Sequence, residues 1–266
     1  MGGRRRRPAT CACLAAAPAS ARAGLAGLPH FAAANLREHV NREYVFSVAP
    51  RPPVSRNRTG GAFYYGTEPH MPPKVTVFID YQNTHQTAHE AYMPFGSEVH
   101  ESLLDPILLA ERLVSKRAPG GELQQVRVYR GKPDPRREPV LASYNDKQFD
   151  AWKCDPRAMI RRRTLRYPSD WGQPTCHEKA REKGVDVELA IDLVRLAFEG
   201  AIEVAIVLTR DTDLVPAVEA VRDHKWAHVE TAGWDTASRV RVRDVYHHTL
   251  NCDDFEACRD RRHYGS

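Results

Sequence analysis

Strand-length apolar segments alternating with amphipathic helical segments predict a three-layer α/β/α domain around a mostly parallel sheet. Two observations carry that expectation. Val75-Thr-Val-Phe-Ile-Asp80 and Glu203-Val-Ala-Ile-Val-Leu-Thr209 are short, nearly continuous apolar runs, the pattern of strands buried on both faces. Helix-period stripes fall between such runs, so successive strands need crossovers that lay helices over both faces of the sheet.

The first strand ends at Asp80, and Asn83 reads as a cap for a helix beginning near Thr84. Asp105 to Lys116 is helical and stops at Pro119-Gly-Gly. Gln125 to Tyr129 and Met159 to Tyr167 alternate more and read as further strands, with a helix from Glu138 to Cys154 between them. The clearest helix is Val185 to Glu199: Leu189, Ala190, Leu193, Leu196 and Ala197 form one apolar stripe, and Glu188, Asp192, Arg195 and Glu199 the opposite face. On that wheel Asp192 falls at the exposed face or its edge, in a surface ion pair. Asp213 to His224 is helical, with Pro216 tolerable only in the first turn. His228 to Gly233 is a fifth strand, and the charged stretch from Ala237 onward holds one more strand and a short helix that the pattern does not place. The order of elements is Rossmann-like.

The chain has 266 residues with a net charge of +5. Residues 1–70 contain ten Arg, no Lys and three Glu, a balance of +7, so residues 71–266 carry −2. The overall basicity belongs to the leader and is no argument for nucleic-acid binding. That leader, 1–70, reads as a basic, Arg/Ala/Pro-rich disordered arm or, the favoured reading, as upstream sequence attached by a misplaced start, with Met71 just before the first strand. Its apolar stretch is short and broken by Pro18, against a secretory signal, and a cytoplasmic location is expected. The domain is expected over 71–235, with 236–266 a charged C-terminal extension packed on it. No run approaches the ~18–20 apolar residues of a membrane span, so no membrane partner is expected. Six irregularly spaced cysteines make no disulfide scaffold.

Ligands of open α/β sheets sit beyond the carboxyl ends of the strands. That rule selects Asp80, Asn83, Asp211 and Asp213. Asp186 lies three, four and seven residues before Leu189, Ala190 and Leu193, on the buried stripe in the first turn of its helix. Each acid has a plainer reading as a helix cap, worth about 1 kcal/mol, or as a complement to a helix dipole. Four acids in one crevice repel unless something neutralises them. Mg²⁺ or Mn²⁺ takes carboxylate oxygens and phosphate oxygens together, and such a site suits metal-assisted hydrolysis of a phosphodiester.

Phe78-Ile-Asp80-Tyr-Gln-Asn83, Glu182-Lys-Gly-Val-Asp186-Val-Glu-Leu-Ala-Ile-Asp192 and Leu208-Thr-Arg-Asp211-Thr-Asp213-Leu-Val-Pro216 resemble, in order and spacing, the three signature segments of NYN domains of the bacterial type, which are PIN-like ribonucleases. The resemblance spans roughly Lys74 to Asp235. It implies a PIN-like fold and Mg²⁺- or Mn²⁺-dependent RNA cleavage, with Asp80, Asp186, Asp211 and Asp213 as metal-holding catalytic acids and Asn83 as a polar support. Two departures stand out. Arg210 replaces a Gly common in relatives, and is expected either to grip a phosphate or to crowd the site; Leu214 replaces an aromatic residue.

RNA is therefore the expected partner. Arg127, Arg130, Lys132, Arg136 and Arg137 form one basic cluster; Arg157, Arg161, Arg162, Arg163 and Arg166 form a second, better placed for phosphates. Tyr129, Trp152, Tyr167 and Trp171 are aromatic candidates for stacking on bases. A homo-oligomer or protein partner is not specified by these residues. His85 and His89 stand i, i+4, but Gln86 replaces the Glu of a zincin. No CxxC pair, Walker A, GxGxxG or Gly-x-Ser-x-Gly is present. A Toprim-like site would want Glu at the end of the first strand, and a HAD-type site a second Asp two residues after the first. The non-enzymatic alternative is an RNA-binding or partner-binding domain that cleaves little.

Overall fold

The computed structural model describes residues 71–236 and 240–264; the expectations for the leader, 1–70, and for Arg239 lie outside the described residues. The elements run β1 (Lys74–Asp80), α1 (Tyr81–Tyr92), α2 (Pro106–Ser115), β2 (Glu122–Lys132), α3 (Pro139–Trp152), β3 (Ala158–Thr164), α4 (Val185–Phe198), β4 (Val204–Leu208), α5 (Val215–Asp223), β5 (His228–Trp234), β6 (His247–Leu250) and α6 (Cys252–Cys258), with 3-10 turns at Val99–Ser102 and Thr212–Leu214. The strands form a six-stranded sheet in the order β3-β2-β1-β4-β5-β6, and every neighbouring pair is parallel. This is the three-layer α/β architecture that the sequence pattern predicts.

Alternation along the central strands builds two cores. Val75, Val77 and Ile79 of β1 and Val126 and Val128 of β2 pack with Leu109, Ala110 and Leu113 of α2, Trp152 of α3 and Phe255 of α6. Phe78, Tyr129, Ala205 and Val207 point to the other face, against Leu189, Leu193 and Ala197 of α4 and Val218 and Val221 of α5. Both faces of β1 and β4 are thus covered, which is why their sequences read as continuous apolar runs. Leu193 is fully buried; truncation to Ala there removes about 2–5 kcal/mol.

Some local expectations change. The first helix starts at Tyr81: Asp80 is its cap, accepting from the Asn83 backbone N–H, so Asn83 sits inside the first turn and caps nothing. Asp192 keeps the expected pair with Arg195, at 3.3 Å from its Oδ1, but is itself buried. Its Oδ2 accepts from Arg127 Nη2 at 2.5 Å and from the Tyr129 hydroxyl at 2.9 Å. Arg127 and Tyr129 share one face of β2, so the flank of α4 carrying Asp192 lies over that strand rather than facing water. Burial pushes the Asp192 carboxyl up, but the Arg127 and Tyr129 bonds outweigh it and hold the group below the usual range.

Two members of the first basic cluster are likewise committed to structure, while Arg136 and Arg137 are exposed. Arg127 is buried in that pair, and Arg130 lies over the Tyr81 and Trp152 rings, 4.8 and 5.3 Å from their centroids. The last strand and helix, unplaced by pattern, extend the sheet beside β5 and pack α6 on α2, where buried Asp254 pairs with Arg112 and Lys116.

Candidate active site

The strand order reverses between β1 and β4. The helix following β1 lies on one face and the helix following β4 on the other, which opens a crevice beyond their carboxyl ends. Period-two alternation carries Asp80 and Thr209 onto the same side as Phe78 and Val207. Thr209 Oγ1 donates to Asp80 Oδ2 at 3.1 Å, and Asn83 N–H donates to Asp80 Oδ1 at 3.4 Å. Asp211 N–H donates to Thr209 Oγ1 at 3.0 Å, and Arg210 N–H to Asn83 Oδ1 at 3.1 Å. Thr209 and Arg210 are therefore tied to the end of β1 and the first turn of α1, and Asp211 to Thr209.

Asp80 is 7% exposed. Burial pushes its carboxyl up to about 6; the Thr209 and Asn83 bonds pull down, and the charges of Asp211 and Asp186 push up. Asp186 stands half-buried in the first turn of α4, and Asp211 half-buried as the cap of the 3-10 turn. Asp213 is exposed on that turn, its backbone N–H donating to Asp211 Oδ1 at 2.9 Å. The structure thus brings Asp186 and Asp211 each within electrostatic reach of Asp80, while Asp213 sits exposed on the 3-10 turn.

A further acid joins them that sequence reasoning did not select. Glu182 accepts from the Gly131 backbone N–H at the end of β2. Burial pushes its carboxyl up to about 7, with the Asp80 and Asp186 charges adding to the rise and Arg130 opposing it. Two glycines make the approach feasible. A Cβ at Gly131 would lie 2.9 Å from Glu182 Cγ and collide with Leu165, and Gly184 turns the chain into α4 at φ +73°, a conformation that disfavours residues with a Cβ. The available signal was Glu182 itself, four residues before Asp186, but it precedes the helix, so no helical face points to it.

The remaining candidates separate by strand face. Arg162 lies on the α3 side of β3, bonded to Asn145 and Asp146 and 3.9 Å from the Phe149 ring centroid. Arg161 and Arg163 lie on the α4 side, exposed, 3.7 Å from Asp192 and 3.8 Å from Glu188. The Arg210 side chain turns along α1 to Glu90, at 3.8 Å, so only its main chain is tied to the acids' support.

Oxygen-only donors of this kind suit Mg²⁺ or Mn²⁺ better than softer metals. Among the described residues no group of three or more His, Cys, Asp or Glu side chains forms a ready-made cage. Mg²⁺ commonly takes only one or two carboxylates, with water and substrate phosphate completing its shell. Burial is the main cause of the rise at Asp80 and Glu182, and the neighbouring acids add to it; a cation would offset that added charge, so the residues present fit the ion in kind.

An all-parallel six-stranded sheet, with carboxylates gathered where its strand order reverses, is the architecture of a PIN-like three-layer α/β domain. The family model for the NYN domain matches residues 74–251; the chain belongs to the NYN domain family, one of the PIN-like nuclease folds. No curated protein matches the sequence. Among solved structures, a protein of unknown function from Vibrio parahaemolyticus is similar at 16% identity over 70% of this chain and 96% of that one, with a TM-score of 0.44. The membership rests on the family match. Among the described residues no helix is long and apolar enough to cross a membrane.

Proposed function

We propose that the protein is a metal-dependent ribonuclease acting in the cytoplasm, hydrolysing RNA phosphodiester bonds at the crevice between β1 and β4. The observation that carries this reading is Asp80: a carboxylate at the switch point of an NYN domain, raised chiefly by its burial and further by the charges of Asp211 and Asp186. Asp80, Asp186 and Asp211 would hold Mg²⁺ or Mn²⁺, with Glu182 beside them and Asp213 at the rim toward solvent. When bound, the ion neutralises phosphate charge and lowers the pKa of a water nucleophile.

The chain's own residues do the positioning. Thr209 and the Asn83 N–H fix the two oxygens of Asp80 in one orientation. Asn83 Oδ1 holds the Arg210 main chain, which sets where Asp211 stands. Asp80 and Glu182, whose carboxyls burial raises to about 6 and about 7, give up their protons as the ion binds. The exposed Arg161 and Arg163 lie on the α4 side of β3 and supply positive charge for the RNA backbone.

The test incubates the full chain with labelled RNA and Mn²⁺, Mg²⁺ or EDTA, beside Asp80→Asn and Asp211→Asn. Metal-dependent cleavage lost in both variants, with circular dichroism unchanged, is the expected result. RNA binding without turnover would select the alternative, an NYN domain that binds RNA and cleaves little.

A further inference from the structure

Beyond the acids, the structure has a basic groove where β3 gives way to the start of α4. It is open, roughly 660 Å³ in volume, and lined by Arg163, Thr164, Leu165, Arg166, Lys183 and Gly184. Three of those six residues are cations and none is acidic. Arg166 and Lys183 are exposed and pair with no carboxylate among the described residues. Arg163 is half-exposed, 3.8 Å from Glu188.

Two features make this more than a solvated basic face. First, its shape is held by main chain: Arg166 and Arg181 exchange both backbone hydrogen bonds, at 2.8 and 2.9 Å, which closes the long connection between β3 and α4 into a clasp. Second, it adjoins the acids, since Lys183 and Gly184 stand between Glu182 and Asp186 in the chain.

An aromatic pair follows directly. Tyr167 is fixed by the Asp134 N–H and by Glu138. Trp171 stands edge-on to it, 4.8 Å between centroids, half-buried at the wall of a second open groove of roughly 540 Å³.

We infer that this groove is the track by which single-stranded RNA reaches the acid crevice, with Arg163, Arg166 and Lys183 holding successive phosphates and Trp171 stacking on an unpaired base. The inference rests on the nuclease reading for the identity of the polymer. A groove lined by three cations and no acid matches a phosphate backbone, and a stacking surface is useful only to a strand whose bases are free. Arg162, on the opposite face of β3, takes no part.

The test measures fluorescence anisotropy of a labelled oligouridylate, in EDTA, on the full-length Asp80→Asn protein with and without Arg166→Glu plus Lys183→Glu. Affinity is expected to fall at least about tenfold, and the slope of log K against log salt to shrink by roughly 1.4, two contacts at about 0.7 each. Trp171→Ala is expected to lose about tenfold on the oligouridylate and little on duplex RNA. Thermal melts check that each variant folds. Unchanged affinity and salt slope in the double variant would overturn the track, and equal losses on duplex and single strand would overturn its restriction to single strands. Absence of metal-dependent cleavage by the unmutated chain would instead defeat the nuclease reading, leaving this binding result to stand or fall separately.

Discussion

The Thr209 hydroxyl donates to Asp80 Oδ2 at 3.1 Å, joining the ends of two strands that lie 129 residues apart in the chain. It both fixes the carboxylate's orientation and opposes the rise that burial imposes on it. Thr209→Val keeps the shape and removes both the donor to Asp80 and the acceptor of the Asp211 N–H. The acid limb of the pH–rate profile is then expected to move up by roughly one pH unit, while Thr209→Ser keeps it in place. Identical profiles for Val and wild type would mean that the hydroxyl does not govern Asp80.

Asp80 works against the stability of the fold at neutral pH. Its folded value is about 6 against 3.8 for the free group, so the native state holds the proton more tightly than the unfolded chain. The associated stability is present below about pH 4 and lost as pH rises through 6. Asp80→Asn is expected to be more stable than wild type at pH 8 by roughly 2–3 kcal/mol. Urea titrations at pH 5 and pH 8 check this: the gap between variant and wild type widens at the higher pH.

Cation binding pulls the other way. An ion must displace protons from Asp80 and Glu182, whose carboxyls are raised to about 6 and about 7. Mn²⁺ affinity is expected to weaken as pH falls from 8 to 5, by about tenfold per unit where one proton is displaced. Calorimetry in two buffers of different ionisation enthalpy reads the released protons directly. Affinity independent of pH over that range would disconnect the ion from these acids.

The Arg127–Asp192 pair is a separate, structural matter. Both residues are under 10% exposed, so Asp192→Ala leaves a buried guanidinium uncompensated, at a cost of about 3–5 kcal/mol. Replacing both, as Arg127→Met with Asp192→Leu, is expected to recover most of that loss in denaturant titrations. A double variant as unstable as the single one would show that the pair itself contributes the stability.

Local pattern carried the reading a long way where burial is two-sided or helix faces are clean. β1 and β4 were legible because both faces are covered, which leaves no alternation to misread. Asp80 and Asp211 follow from the position of the strand ends. Glu182 and Asp192 did not follow. Glu182 joins the site because a backbone N–H from β2 holds it there, and Asp192 meets a guanidinium 65 residues away, a partner that no helical wheel contains. Arg162 belongs to a run of three arginines whose members look alike in sequence; the pleat of β3 sends it to the opposite layer.

What the sequence determined by itself was the alternation of strands and helices, the resemblance to NYN domains, and the acids that end β1 and follow β4. Periodicity and short motifs are local properties, and each chain segment carries its own. The tertiary structure decided which acids share a crevice, which arginines stay exposed on the α4 side, and that the last strand extends the sheet. Those outcomes depend on neighbours brought together by folding, and the free energy of a carboxylate or a guanidinium is set by those neighbours rather than by its place in the chain.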